Sequence, residues 1–314
     1  MSNEPRSADI TGDRGSQDLR ETLYHLVFFA CAAVSVLTTV GIVLALVVPA
    51  IEFFGDVSLG AFLFGTQFNP SINPVSFGVL PLVFGTLLIT AGAAAVALPV
   101  GLLTAVYLSE YADSRRRAVL KPMLEVLAGI PTVVYGYFAL VYVTPILDAV
   151  PGLELGTFNA LSASLVMGIM IIPMVSSISE DSMSAVPDSL RNGAYGLGAT
   201  KYEVSTSVVV PASISGIAAS YILALSRAIG ETMIVVVAAG QNPRLPSTPA
   251  DLLTSFFEST QTMTSAIVQL GLSDLAGGTT AYRALFAIGL VLFAMTLALN
   301  LVSDLITQRY QEDY

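Results

Sequence analysis

Arg227 and Glu231 stand in an otherwise apolar stretch that runs from Ala212 to Gly240. A charge in the middle of a bilayer costs at least about 2.5–3.5 kcal/mol, so charged residues there usually face a bundle interior or a water-filled path. The planar guanidinium of Arg227 offers paired donors that fit two oxygens of an oxyanion. Because the two residues are four positions apart, we expect them to share one helix face. We therefore predict that they line a polar path, with Glu231 offsetting Arg227 so that a bound anion is held weakly.

Small or polar residues extend this predicted face toward the preceding loop: Ser213, Gly216, Ser220 and Ala224. We interpret this stripe as a continuation of the path. The structural alternative is that Arg227 and Glu231 neutralise each other and that their face packs against another subunit.

The polar loop 185–211 is the second segment that could carry function. Its Pro187-Asp188-Ser189 is typical of a helix start. Gly193, Gly196 and Gly198 each lower the helix propensity by about 1 kcal/mol, so a helix there would be marginal alone. A bound partner explains such a helix better than solvent does.

The residues needed for most enzymatic chemistry are missing from the sequence. The chain has a single histidine, His25, and a single cysteine, Cys31, both in the first apolar stretch. A lone histidine has no partner for proton relay or metal ligation, and one cysteine forms neither a disulfide framework nor a metal cluster. No phosphate-cradling Gly-x-x-x-x-Gly-Lys-Ser/Thr loop is present. We therefore expect no catalysis, and no cofactor bound by this chain; an intramembrane enzyme is the least favoured alternative.

The composition indicates that most of the chain lies in a membrane. It is 54% hydrophobic and only 11% charged, whereas a soluble domain carries about 25% charged residues. Six apolar segments are each long enough to cross a bilayer. The sequence thus predicts an all-α integral membrane protein with six transmembrane helices. The segments begin and end at about Thr22 and Pro49, Leu80 and Leu108, Met123 and Leu147, Leu161 and Ile178, Ala212 and Gly240, and Arg283 and Ile306.

The remaining segments complete the predicted organisation. We expect a disordered acidic cytoplasmic tail at 1–21, a first transmembrane helix at 22–50, an external loop at 51–79, a core transmembrane domain at 80–308 that contains loop 185–211, and a cytoplasmic tail at 309–314. The outer segment 241–282 is partly amphipathic, and we expect it to hold a short helix that lies on the bundle.

Basic residues in the loops predict the orientation, because cytoplasmic loops carry the excess of arginine and lysine. With the N-terminus inside, only Arg244 and Arg283 fall outside, and Asn73 and Gln261 are external as well. Both termini are then cytoplasmic, and the chain is a multi-pass protein of the cell membrane. The residues on the inner side are Arg6, Arg14, Arg20, Arg115, Arg116, Arg117, Lys121, Arg191, Lys201 and Arg309.

The net charge of −10 excludes the basic surface that nucleic-acid binding requires. Only Lys121 and Lys201 are lysines. This acidic, lysine-poor, halophile-like balance favours a cytoplasm of high salt, where the Debye length is about 3 Å at 1 M and surface charge would hardly repel an anion.

Loop 185–211 resembles the coupling motif of ABC importer permeases, which places Glu-Ala-Ala before a glycine and ends at a proline. Asn192, Gly193 and Ala194 occupy the first three positions, and Asn192 replaces the usual glutamate. In that family the loop forms a short helix that docks into a groove of the ATPase. The resemblance implies ATPase-coupling roles for Arg191, Asn192, Gly193, Ala194, Gly198, Ala199 and Pro211.

Two further motifs are similar to signatures of phosphate permeases. Residues 127–136 read LAGIPTVVYG and residues 226–233 read SRAIGETM, in which the methionine after Gly-Glu-Thr resembles the PstC branch. This resemblance implies a type I importer permease with a MetI-like bundle. It also implies that Arg227 and Glu231 belong to the translocation pathway.

The resemblance further implies partner proteins. These are a PstA-type permease that forms a heterodimer with this chain, a PstB-type ATPase dimer that binds ATP and Mg, and a PstS-type phosphate-binding protein. Two alternatives stay open: a permease for another oxyanion, such as molybdate, tungstate or sulfate, or an ATP-independent carrier.

Overall fold

The computed structural model describes residues 14–70, 72–249, 251–273 and 278–310, and of residues 14–19 and 307–310 it describes the backbone only. Residues 1–13 of the predicted tail 1–21 therefore lie outside the described residues, as do 311–314 of the predicted tail 309–314. The first helix begins at Arg14 rather than at Thr22, and the last one continues to Tyr310.

Helices form nearly all of the described structure. One short antiparallel pair of strands lies between the second and third helices. In chain order the elements are α1 (Arg14–Asp56), α2 (Leu59–Phe64), β1 (Phe68–Asn69), β2 (Ser76–Phe77), α3 (Leu80–Val106), α4 (Ser114–Gly129), α5 (Thr132–Phe138), α6 (Thr144–Asp148), α7 (Ala160–Ser184), α8 (Asp188–Gly196), α9 (Lys201–Val204), α10 (Val210–Ala212), α11 (Ile214–Gly230), α12 (Asp251–Thr254), α13 (Met263–Leu272) and α14 (Thr280–Tyr310). Segments with π-helical hydrogen bonds follow α3, α5 and α9 at Tyr107–Tyr111, Ala139–Val143 and Ser205–Val209, and another spans Val235–Ala239.

The described part of the chain contains four helices that are long and apolar enough to cross a membrane, and up to six spans when each bent pair counts as one. The long spans are α1, α3 with its π-helical end, α7 and α14. The bent pairs are 114–129 with 132–148, at 88°, and 201–212 with 214–230, at 70°. This confirms the predicted six-helix class, but the third and fifth spans are broken rather than continuous.

Local backbone chemistry explains the first of these breaks. Ile130 is extended, with φ −68° and ψ 130°, because the residue before a proline is disfavoured in the helical region. Pro131 then starts α5.

Small side chains allow α3 and α7 to pack closely in the centre of the bundle. Ala93, Ala97 and Ala163 are fully buried there, and a Cβ atom added to Gly101 would lie 2.7 Å from the Cβ of Val175. Membrane helices associate through such close contacts, since lipid provides no hydrophobic drive between them.

The bundle has two ends, which we name by the short helices that lie there. The α8 end holds the segments 107–121 and 180–213, and the α13 end holds 50–70, 72–82, 144–160, 256–273 and 278–284. Arg283 near the start of α14 pairs with Glu52 near the end of α1. Because α1 and α14 run antiparallel from that contact, Arg14 and Tyr310 both lie toward the α8 end.

The α13 end corrects one prediction. The outer segment 241–282 does not merely lie on the bundle, because residues 260–266 are buried inside it. Gln261 is 1% exposed, and a Cβ atom added to Gly85 of α3 would meet its carbonyl oxygen. The predicted external residue Gln261 is thus inaccessible, whereas Asn73 is exposed.

The orientation itself stays a prediction, which cysteine labelling tests. In a Cys31→Ser background, Arg115→Cys and Lys201→Cys lie at the α8 end, and Asn73→Cys and Thr248→Cys lie on exposed loops associated with the α13 end. We expect a membrane-impermeant maleimide to label only Asn73→Cys and Thr248→Cys in intact cells. Permeabilised cells are the control and should show labelling at all four positions; labelling at residues 115 and 201 in intact cells would invert the topology.

Candidate functional site

Arg227 lies in the last turn of α11 and is exposed on this chain. Its guanidinium forms no ion pair and no hydrogen bond with any residue that the structure describes. An arginine that is left unpaired within a membrane segment retains all its donors for a ligand or another subunit.

Arg227 lines a cavity of about 350 Å³. Its walls come from α4, α7, Leu108 of the π-helical end of α3, and α11, and they combine apolar groups with four charged residues. The charged lining residues are Lys121, Glu125, Glu180 and Arg227. A cavity with a few polar groups on apolar walls has the character of a small-molecule site.

Glu231 does not share a helix face with Arg227, which corrects the predicted pair. The helix ends at Gly230, and Glu231 is extended, with φ −66° and ψ 133°. Its carboxylate accepts a hydrogen bond from the backbone N–H of Met233 at 3.0 Å, and its carbonyl accepts one from the Thr264 hydroxyl at 2.8 Å. Glu231 is therefore a buried group that caps the next helical turn, and it forms no ion pair with Arg227.

The stripe of small residues that precedes Arg227 is a packing surface. Ser220 exchanges a 2.8 Å hydrogen bond with Ser179 of α7, Gly216 contacts Ser182, and Ala224 is fully buried. Ser213 is buried as well, and its hydroxyl donates to Val209. These contacts pack α11 against α7, so the stripe does not line the cavity at Arg227.

A second charged group was not foreseen from the sequence. Glu180 of α7 has a fully buried side chain, and it pairs with two cations of α4, Arg117 and Lys121, the latter at 2.8 Å. Lys121 also reaches the exposed Asp181 at 3.2 Å. In the sequence, Glu180 and Asp181 stand together at the end of an apolar stretch, which could have drawn attention to them. The cations that bind Glu180 are about sixty residues away in the chain, so the pairing itself could not be predicted.

The predicted helix in loop 185–211 is present as α8, at Asp188–Gly196. Gly198 follows it with φ +88°, a region that only glycine adopts without strain. The N–H of Gly198 donates to Tyr195 and that of Ala199 to Ala194, which is the Schellman pattern that ends a helix. Gly198 therefore sets the turn into α9, where Thr200 and Glu203 form a capping box.

Arg191 points into the protein rather than away from it. Only 15% of its side chain is exposed; it donates to the carbonyls of Met183 and Val186 and pairs with Glu110 at 3.2 Å. Its role in this chain is to hold α8 against α7 and the end of α3, whereas its predicted ATPase contact stays untested.

The outer surface of the α8 segment is open. No residue of α8 is buried, and four large side chains there are exposed: Leu190, Tyr195, Leu197 and Tyr202. Leu197 is 92% exposed. Asn192 and Gly193 also face outward, and a Cβ atom added to Gly193 would meet nothing within 4 Å.

Residues 97–312 match the family described as the binding-protein-dependent transport system inner membrane component. The chain belongs to this family, and it is a multi-pass permease subunit of an ABC transporter. Permeases of this family are the non-catalytic membrane components, and separate ATPase subunits and a binding protein complete the importer.

The chain is similar along nearly its whole length to curated bacterial permeases. It is 31% identical to the probable ABC transporter permease protein YqgH of Bacillus subtilis, over 96% of each chain. It is also 31% identical to the phosphate transport system permease protein PstC of Xylella fastidiosa, over 97% of this chain and 96% of that one. The PstC of Haemophilus influenzae is 34% identical, over 91% and 90%.

Solved structures show the same fold at low sequence identity. A chain of a bacterial alginate ABC transporter, solved in complex with an alginate pentasaccharide-bound periplasmic protein, aligns with a TM-score of 0.64 at 15% identity, over 94% of this chain and 96% of that one. A chain of the inward-facing MetNI methionine ABC transporter gives a TM-score of 0.53 at 15% identity, over 75% and 95%. The expected MetI-like importer fold is thereby confirmed.

The environment of Arg191 predicts a structural phenotype. Arg191→Ala should lower the free energy of unfolding by about 3 kcal/mol, because it leaves the buried carboxylate of Glu110 unpaired. Arg244→Ala is the control: its pair with Glu258 is half-exposed and contributes about 0–1 kcal/mol. SDS titration of the purified protein, followed by circular dichroism, measures both. Equal stability of the two variants, with transport lost only in Arg191→Ala, would assign Arg191 to the ATPase instead.

Proposed function

We propose that this chain is the PstC-type subunit of an ATP-driven phosphate importer and forms half of its translocation path. The observation that carries the proposal is the unpaired guanidinium of Arg227 at a cavity between membrane helices. The similarity to PstC proteins of several bacteria, at 31–34% identity, supports phosphate as the transported oxyanion.

In this proposal Arg227 receives the anion inside the membrane. Its planar fork donates to two oxygens of one phosphate, and charge-assisted hydrogen bonds of this kind are stronger than neutral ones. Because Glu231 is turned away to cap the next helical turn, it shapes the break behind Arg227 instead of neutralising the guanidinium. The anion therefore meets an uncompensated charge at this point of the pathway.

The exposed surface of α8 is the proposed contact with the ATPase. Its outward side presents Asn192, Gly193 and the large side chains of Tyr195 and Leu197. Ala194, Gly198 and Ala199 contribute by shaping the helix and its turn, Arg191 contributes by anchoring it, and Pro211 lies further along the chain in α10. We propose that a PstB-type ATPase dimer, which binds ATP and Mg, receives this helix in a groove.

Two further partners follow from the same proposal. A PstA-type permease would close the cavity that is open on this chain, and a PstS-type binding protein would deliver phosphate at the α13 end, which the predicted topology places outside the cell. The match of 34% identity to PstA 1 of Mycobacterium tuberculosis, over 52% of this chain, is consistent with two related permeases.

The pathway role of Arg227 is tested in vesicles that contain the permease with its cognate partner subunits and binding protein. Arg227→Gln should reduce uptake of radiolabelled phosphate about tenfold or more, since one charged hydrogen bond contributes about 1.5–3 kcal/mol. Arg244→Gln loses the same charge on an exposed loop and should transport normally. Uptake by Arg227→Gln at the wild-type rate contradicts the pathway role, and wild-type preference for molybdate, tungstate or sulfate contradicts the choice of phosphate.

The docking role of α8 is tested at Gly193, where the space above the helix is open. Gly193→Trp should abolish phosphate-stimulated ATP hydrolysis in the assembled importer, because the indole would hold the helix away from a groove. Gly193→Ala is the matched control and should be active, since alanine raises helix propensity by about 1 kcal/mol. Gly198 is unsuitable for this test, because its positive φ makes any side chain there a backbone defect. Normal ATP hydrolysis by Gly193→Trp would exclude this surface as the docking site.

A further inference from the structure

The ion-pair cluster around Glu180 contains more positive charge than one buried carboxylate needs. Arg117 and Lys121 both bind Glu180, one to each carboxylate oxygen. Asp181 also pairs with Lys121, but 65% of the Asp181 side chain is exposed, so solvent screens that pair. Glu180 would thus keep a cationic partner if one of its two cations left.

The two cations differ in where they lie. Lys121 lines the same cavity as Arg227, whereas Arg117 does not; Arg117 lines a neighbouring depression along α4, which Lys121 also borders. The Lys121 side chain is 32% exposed, so its ammonium is accessible to a small solute. The two cations that line this cavity are therefore Arg227 on α11 and Lys121 near the α8 end.

We propose that Lys121 is a second anion-contacting residue of the pathway, which takes the transported anion after Arg227; this inference rests on the proposed function. Lys121 exchanges its bond to Glu180 for a bond to a phosphate oxygen, while Arg117 keeps Glu180 paired. When the anion leaves, Glu180 recaptures Lys121, so the ammonium does not trap the anion.

The acidic residues nearby favour passage over tight binding. Glu125 lies one helical turn from Lys121 and lines the same cavity, and Glu180 forms part of its wall. An anion at Lys121 is therefore within reach of two carboxylates that repel it. A lysine suits this role better than an arginine, because its ammonium is a flexible, strongly hydrated point charge without a fixed fork.

Two double variants separate this role from a purely structural one. Lys121→Gln with Glu180→Gln, and Arg117→Gln with Glu180→Gln, each remove one positive charge and the same carboxylate. If Lys121 contacts the anion, phosphate uptake in reconstituted vesicles should be about tenfold lower in the first double variant than in the second. Both lack Glu180, which the proposal uses for release, so they are compared with each other and not with the wild type. Equal activity of the two double variants, whether both are normal or both are inactive, overturns the proposal.

A chemical rescue tests the same residue in an assembled complex. In a Cys31→Ser background, Lys121→Cys should be nearly inactive, and reaction with 2-aminoethyl methanethiosulfonate, which restores an ammonium, should recover most of the uptake. The neutral methyl methanethiosulfonate is the control and should recover none. Absence of recovery after complete modification, or equal recovery with the neutral reagent, overturns the proposal.

Failure of the proposed function gives a different result. In that case the wild-type complex itself takes up no phosphate, and the same two double variants are compared with the oxyanion that it does transport. A defect confined to the Lys121 variant would then support the role of Lys121 with a different anion.

Discussion

Every backbone N–H and C=O group inside a bilayer needs a partner within the protein, because hydrocarbon offers none. At the breaks near residues 130, 213 and 231, polar side chains donate to backbone carbonyls, in addition to the backbone hydrogen bonds of Ile130 and Ser213 that remain. Tyr135 donates to the carbonyl of Leu127 before the first break, the Ser213 hydroxyl donates to Val209 at the second, and Thr264 donates to Glu231 at the third. The buried polar segment 260–266 is thereby explained, since it brings Thr264 to the third break.

These breaks determine what the bundle encloses. The 88° bend separates α4 from α5, and α4 then forms one wall of the cavity with α7 opposite. The end of α11 at Gly230 leaves Arg227 in a last helical turn without an acidic neighbour on its own helix. Charge is thus distributed unevenly: Arg227 has no ion-pair partner within the described part of the chain, whereas the ion pairs of Lys121, Arg117 and Arg191 lie at the α8 end.

Hydropathy was sufficient to predict the six-span class. The length of apolar segment that a span requires is set by the thickness of the bilayer and not by the packing partners of each residue. The short helix α8 could be predicted from its start at Pro187 and its glycine-rich end. The break at Ile130 has a local cause in Pro131, but the break at Glu231 could not be predicted, since Glu231 is held by Thr264, which is distant in sequence. For the same reason the pairing of Glu180 with two cations of α4, and that of Arg191 with Glu110, could not be predicted from the sequence.

The anchoring of α8 connects the exposed surface with the cavity. Arg191 binds the carbonyls of Met183 and Val186, which end the same helix that carries Glu180 one turn earlier. A displacement of α8 must therefore move the end of α7 or break the two hydrogen bonds by which the largely buried guanidinium of Arg191 holds it. Charged hydrogen bonds of this kind contribute about 1.5–3 kcal/mol each, so this attachment opposes a separation of α8 from the end of α7. Glu180 lies near the same end of α7, so the exposed surface of α8 and the part of the cavity wall at Glu180 are attached to one helix end.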